Sequence, residues 1–458
     1  MARKLSAALV AALVVLSAFV LAGPAQATPP ASHPSWHRLR PIVFVHGFFG
    51  SGSQYETPAR RFASNGYPSR YIEAHEYDST FATTTVEQVH ASLDARIDRL
   101  RAETGADRVD LVGHSLGTAM SQSYLNSSPE RAARVAHYVN LDGATATALP
   151  GGVPTLAIWG EGNPERTVVG AQNVSFPDQA HTETVTSEAS FAAQYRFLTG
   201  REPRTTRVVP KLLGRIELEG RAVLFPSNAG ADGATVQVFE VHPRTGQRLR
   251  QRPVASFLLG PDGAWGPVRA QGSASYEFAI TRPDSTTTHH LYYQPFRRTD
   301  RLVRLLTSEP GVGLDLLTEK SERHANLIVT RNKEWWGDQG AAGDTLTVDG
   351  TPVLSASTAP RTKRAIALFA YDAGVDGVSH PDVQLPAFAA LPFITGLDLF
   401  VPADAAARGT VRIASVQRGG TGREAVVNVP NWPSATHRIS VQFDDYQQSG
   451  WFTPSRAR

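Results

Sequence analysis

The feature that most constrains this chain is a change of grammar near residue 205. Before it, short apolar runs alternate with amphipathic stretches. "PIVFVHG" (41–47), "YIEA" (71–74), "RVDLVG" (108–113), "AHYVNLD" (136–142), "TLAIWG" (155–160) and "NVSFPD" (173–178) read as strands. Between them, Thr57-Pro58 opens a helix that Gly66 ends. Val86, Val89, Leu93, Ile97 and Leu100 recur at helical spacing, with a Thr84/Glu87 capping box before them and Gly105 after. "LGTAMSQSYLNSS" (116–128) and "SEASFAAQYRFLTG" (187–200) read as two more helices. Strands that are apolar throughout, with helices between them, imply a mostly parallel sheet covered on both faces. Residues 41–200 are therefore expected to form one α/β domain. After 205 the helical period fades, and β-rich runs alternate with turn signals such as "PRTG" and "RGGTG". That half is expected to be all-β, a sandwich or barrel. Its length allows two units, 206–286 and 287–458, with "TRPDSTTTHH" (281–290) as the seam.

The first residues read as an address. "MARK" is basic, residues 5–22 are apolar, and Ala25-Gln26-Ala27 is a small-residue cleavage site. Residues 1–27 are expected to be a secretory signal peptide, and the mature chain to be extracellular with no membrane-spanning segment. An uncleaved anchor is the other reading of that run. Residues 28–40, rich in Pro and Ser, read as a linker. The chain has no cysteine, which excludes disulfides, thiolate catalysis and Cys-ligated zinc. Its formal charge is only +3, without a basic block, so nucleic acid is not an expected partner.

The chemistry is carried by "VDLVGHSLGTAM" (109–120), in which Gly113-His114-Ser115-Leu116-Gly117 matches G-x-S-x-G between a strand and a helix. A serine on that sharp turn stands above the sheet edge. The flanking positions take glycine because a side chain there meets the neighbouring strand or helix. Ser115 is the expected nucleophile, and the backbone N–H of Leu116 one donor of an oxyanion hole. "FVHGFFG" (44–50) follows the first strand and places a second donor at the Phe48 N–H. His46 and His114 are expected to brace loops. In the chain order Ser, acid, His, the late histidine of "NVSFPDQAH" is His181, the expected base. The acid stays open. Asp142 ends the "YVNLD" strand, Glu161 follows the next one, and Asp178 is a third choice. Asn163 stands where an aspartate would be expected.

These motifs resemble the α/β-hydrolase family, specifically lipases and carboxylesterases, on the strength of "FVHGFFG", "LVGHSLG", "NLDG" and "PDQAH" within 41–200. With the β-rich half, the likeness is to two-domain lipases whose C-terminal region helps bind lipid. The resemblance implies ester hydrolysis through an acyl-enzyme, with no cofactor or metal, on an ester or lipid substrate, which could lie at a lipid–water interface. Polyester depolymerase, thioesterase and non-catalytic surface-binding readings remain alternatives. Phe48 is expected to wall an apolar acyl pocket, and segments 50–56 and 144–152 to cover the site. "NKEWWGDQG" (332–340) and "PAFAALPFITGLDLF" (386–400) are either a lipid-facing surface or β-core aromatics.

Overall fold

The protein is described here from a computed structural model, which covers residues 39–211, 215–308 and 312–446. The expected signal peptide and most of the linker lie outside the described residues.

The first half is a six-stranded sheet of β1 (Ile42–Val45), β2 (Ile72–His75), β3 (Val109–His114), β4 (Val135–Leu141), β5 (Thr155–Trp159) and β6 (Gln172–Ser175), in the spatial order β2-β1-β3-β4-β5-β6. Every pairing is parallel. Helices α1 (Glu56–Ser64), α2 (Val86–Thr104), α3 (Leu116–Ser127), α4 (Pro129–Ala133), α5 (Glu183–Thr186) and α6 (Glu188–Thr199) connect the strands. The alternation of β1 shows how both faces are covered. Ile42 and Phe44 join a core with Phe62 of α1 and Phe191 of α6. Val43 and Val45 join the opposite core, with Val89, Leu93 and Ile97 of α2. The cap of α2 lies one residue later than expected. Thr85 and Gln88 form the box, while the Thr84 hydroxyl donates to the Asp78 carbonyl. Both threonines satisfy the same spacing rule, and the turn around Asp78 claims the first.

The second half is organised by one nine-stranded mixed sheet. In spatial order its strands are 255–258, 235–241, 275–281, 288–293, 437–442, 327–330, 367–371, 394–398 and 380–384. Within the segment 281–290 read as a seam, the chain makes the turn of a hairpin inside this sheet. Two four-stranded sheets cover it, and the register shows that they use opposite faces. Val238, Phe278 and Leu291 are register partners and pack under the sheet built on strands 215–224, 264–271 and 300–307. Leu291 also pairs with Ser440, whose neighbours Ile439 and Val441 point the other way, into a core with Leu346, Ile413 and Val427. The face carrying Ser440 and Ile328 is thereby left to meet the hydrolase half. A cavity of about 140 Å³ lies there.

The aromatics considered as a lipid surface belong mostly to cores. Trp335, Phe388 and Leu397 are fully buried, and Trp336 nearly so. Trp335 and Trp336 each carry a guanidinium at 3.8 Å from the ring centroid, from Arg331 and Arg418 respectively. That arrangement fills the interior with aromatic area while keeping the cations over ring faces.

Candidate active site

The site is built on the C-terminal edge of the parallel sheet, where open α/β folds place their chemistry. Ser115 follows β3 directly, with φ 53 and ψ −123, a conformation non-glycine residues rarely adopt. Its glycine neighbours are required by space. A Cβ on Gly113 would sit 2.6 Å from the Gly117 carbonyl oxygen, and one on Gly117 would run into the Val45 carbonyl of β1. The Ser115 carbonyl accepts from the Thr118 amide at 3.0 Å and the Thr118 hydroxyl at 2.6 Å. A peptide unit is planar and trans, so fixing that oxygen fixes the direction of the Leu116 N–H.

The same argument applies to Phe48. His46 Nδ1 lies 2.9 Å from the Gly47 carbonyl, and the Gly50 amide donates to that oxygen at 3.0 Å. Burial outweighs the pull of Glu76 and lowers the His46 pKa, so the ring is neutral. With Nδ1 donating, Nε2 is an acceptor. The Phe48 ring is exposed and stacks on Phe49 at 4.2 Å. Phe49, in a left-handed turn, faces Phe225 and lines the cavity. The apolar wall expected of Phe48 is therefore formed by Phe49. Residues 50–56 are buried against the β half rather than free to move as a cover. Segment 144–152 is partly exposed and bridges to Val168 through Ala146.

Asp142 and His181 meet. Asp142 Oδ2 lies 2.6 Å from His181 Nδ1, and Asp142 Oδ1 accepts from the Gly160 amide at 2.8 Å. The register of β3 and β4 sets Asp142 beside Ser115, since His114 pairs with Leu141 and the Ser115 amide donates to the Leu141 carbonyl at 3.0 Å. His114 Nε2 reaches the His181 carbonyl at 3.1 Å, and the two rings lie 4.6 Å apart. Burial, then the His181 ring, push His114 down to about 3, so His114 is a neutral brace. Burial raises the Asp142 pKa, but the His181 hydrogen bond and charge, the Gly160 amide and Arg166 together hold it below the usual carboxylate value.

The other candidate acids point elsewhere. Glu161 pairs with Arg361 at 2.7 Å and Arg364 at 3.8 Å. Asp178 is exposed. Asn163 is also exposed and closes a turn by accepting from the Glu165 amide. Three residues escaped sequence reasoning. Arg166 stands 2.9 Å from Asp142 Oδ1. Asn228 donates to the Gly50 and Tyr77 carbonyls. Glu334 accepts from the Thr182 and Glu183 amides. Only Arg166 had a local signal, as the sole cation in the loop after β5.

Among the described residues, no group of His, Asp and Glu is placed to hold a metal ion. Among the same residues, no helix is long and apolar enough to cross a membrane.

A parallel sheet whose edge carries a serine turn, a carboxylate and a histidine in this order defines a class of fold, with which the family models can be compared. Residues 40–217 match the family model for the alpha/beta hydrolase fold, residues 214–310 that for the lipase C-terminal domain, and residues 313–447 a further C-terminal-domain model. Residues 40–217 thus carry the α/β-hydrolase fold, followed by a C-terminal β region whose first part matches the lipase C-terminal domain. Solved structures similar to the protein include Aspergillus fumigatus lipase B, at 14% identity over 39% of this chain and 56% of that one, TM-score 0.29. Bacillus licheniformis lipase BlEst2 in its propeptide form matches at 13% identity over 87% and 94%, TM-score 0.29. A Listeria innocua protein matches at 14% identity over 37% and 97%, TM-score 0.28.

Proposed function

We propose that this protein is a secreted serine hydrolase that cleaves carboxylic esters with apolar acyl chains through an acyl-enzyme. The observation that carries the reading is the 2.6 Å Asp142–His181 pair beside the Ser115 turn. Asp142 accepts from His181 Nδ1–H, which leaves Nε2 as the base. His181 takes the Ser115 proton as Oγ attacks the ester carbonyl. The Phe48 and Leu116 amides receive the oxyanion. His181 then gives the proton to the leaving alcohol, and the same residues, with water as nucleophile, release the acid.

The substrate class rests on the cavity. Phe49, Phe225, Leu291, Ile328, Phe369 and Phe393 contribute apolar walls. None of Phe48, Ser115, Leu116, Asp142 and His181 lines it; it approaches them through Phe49, next to Phe48 in the chain, and Phe393, parallel to the His181 ring at 6.2 Å. An alkyl chain entering there is removed from water at about 0.8 kcal/mol per buried CH₂.

The test uses nitrophenyl esters of increasing chain length, triglyceride emulsions, a thioester and a polyester film, with an organophosphonate label. Label on Ser115 and kcat/KM rising with acyl length are expected. A protein that is neither labelled nor active on any of these substrates overturns the reading. Preference for thioester or film moves it to those classes.

A further inference from the structure

We propose that the C-terminal region is a working part of the catalytic centre, in which Asn228 positions the oxyanion loop and Glu334 positions the histidine loop. The proposal rests on the hydrolase reading above and assigns the β half a role besides contact with substrate.

Asn228 belongs to the first β-rich unit, yet its side chain is buried in the hydrolase half. Its amide nitrogen lies 2.8 Å from the Gly50 carbonyl, 3.1 Å from the Tyr77 carbonyl and 3.2 Å from His46 Nε2. The two amide hydrogens go to the nearer carbonyls, and His46 Nε2 accepts from the Tyr77 amide at 3.4 Å. A donor at Nε2 obliges His46 to carry its proton on Nδ1, from which it donates to the Gly47 carbonyl. That oxygen is one end of the planar unit whose other end is the Phe48 N–H. Asn228 thus pins the Gly50 carbonyl, while the Gly50 amide and the His46 ring hold the Gly47 carbonyl that aims the proposed oxyanion donor. Asn228 sits at φ 58, which asparagine tolerates better than most residues.

Glu334, 0% exposed, comes from the second unit. One carboxylate oxygen accepts from the Thr182 amide, and the other from the Glu183 amide at 3.2 Å. The peptide after His181 is therefore held at both ends. Its N–H belongs to Glu334, and its oxygen accepts from His114 and from the Thr184 hydroxyl at 2.8 Å. Fixing that plane leaves His181 little freedom to swing off Asp142. Burying a carboxylate is costly, and an apolar side chain would fill the same space without that cost. The position uses a carboxylate because two N–H groups beside the base need an acceptor.

The test measures full-length Asn228→Gly and Glu334→Gln on nitrophenyl butyrate, a soluble ester too short to need the cavity or an interface. Glycine keeps the left-handed turn while deleting the amide. Glutamine keeps the shape but opposes its NH₂ to one of the two backbone donors. Asn228→Gly is expected to lower kcat by about 10- to 100-fold, short of losing an oxyanion donor outright. Glu334→Gln is expected to lower it by roughly 10-fold or more through misplacement of the base. KM should stay within about threefold for both, because substrate binding is untouched. A boronic acid that mimics the tetrahedral state should weaken in step with kcat, which loss of folding alone would not produce once rates are taken per folded molecule. Wild-type kcat in both variants, or losses confined to long-chain and emulsified substrates, overturns the proposal while leaving the hydrolase reading standing. A wild-type protein that cleaves no ester overturns both.

Discussion

In the hydrolase half, strands β1, β3, β4, β5 and β6 lie side by side in chain order, with β2 on the outer side of β1. In the C-terminal half, strand 437–442 enters the middle of its sheet and pairs in parallel with 288–293 and 327–330, both more than a hundred residues earlier. The first sheet can be assembled from neighbours. The second is complete only when the last described strand is in place. The halves also divide the chemistry. Groups proposed to react come from the local sheet, and two that hold them in place come from the distant one. Substitutions of the groups proposed to react should therefore strike turnover alone, and many in the second half should strike stability and turnover together.

The largest effects test the reacting groups. Ser115→Ala or His181→Ala should cut turnover of nitrophenyl butyrate by about 10⁴-fold or more, with the thermal melt unchanged, because the proposed triad would fail as a unit. Next comes the acid. Asp142→Asn should cost about 10⁴-fold in kcat by favouring the wrong histidine tautomer. Glu161→Gln removes only a partly exposed pair with Arg361, worth under about 1 kcal/mol. Equal losses in the two variants would break the division between reacting and docking carboxylates.

A third test addresses the distant half. Trp335 is fully buried and lies in the same core as Leu346 and Ile413. Trp335→Ala should cost about 3–5 kcal/mol. Because Glu334 is its neighbour in sequence, the ester activity should disappear at the same lowered urea midpoint as the β-region fluorescence. Activity that outlasts the β region in urea would show that the hydrolase half needs no partner.

The same division explains what could be read from the sequence. Ser115 and Asp142 directly follow strands that apolar runs announce, and His181 follows the last strand by a short turn, so the meeting of Asp142 and His181 was legible. The exclusion of Glu161 was not, because it depends on Arg361, 200 residues away. Phe48 and Phe49 are adjacent and alike, and only the left-handed turn at Phe49 decides which ring enters the cavity. Asn228 and Glu334 lie in a turn and a loop with no motif; their meaning comes from backbone groups 178 and 152 residues distant. In the β half the runs of strand residues were visible, but register and face are set by non-local pairing, which period-2 alternation does not encode.

The smallest expected effect concerns Arg166, the local counterpart of these distant supports. Its guanidinium lies 2.9 Å from Asp142 with its side chain 21% exposed. Asp142 has its pKa depressed in the folded state, with Arg166 among the causes. A depressed carboxylate adds stability that is fully present above its unfolded value, near about 3.9, and is lost as pH falls through the folded value. Replacing Arg166 with Met keeps a side chain over Trp159 and removes the charge. The folded value of Asp142 then rises toward the unfolded one, its contribution shrinks, and acid unfolding begins at higher pH. His181 and the Gly160 amide remain, so the midpoint followed by circular dichroism should rise by less than about half a unit. The corresponding site in the β half is Glu277, held down at about 2 against burial by Arg248 and His290. Arg248→Met should move the midpoint further, since Glu277 is fully buried and two of its partners reach it from other strands or loops. If Arg166→Met moves the midpoint down, or further than Arg248→Met does, the acid of the catalytic centre is held by its own loop more firmly than the β core holds its own buried carboxylate, and the contrast between a local site and a distant frame fails.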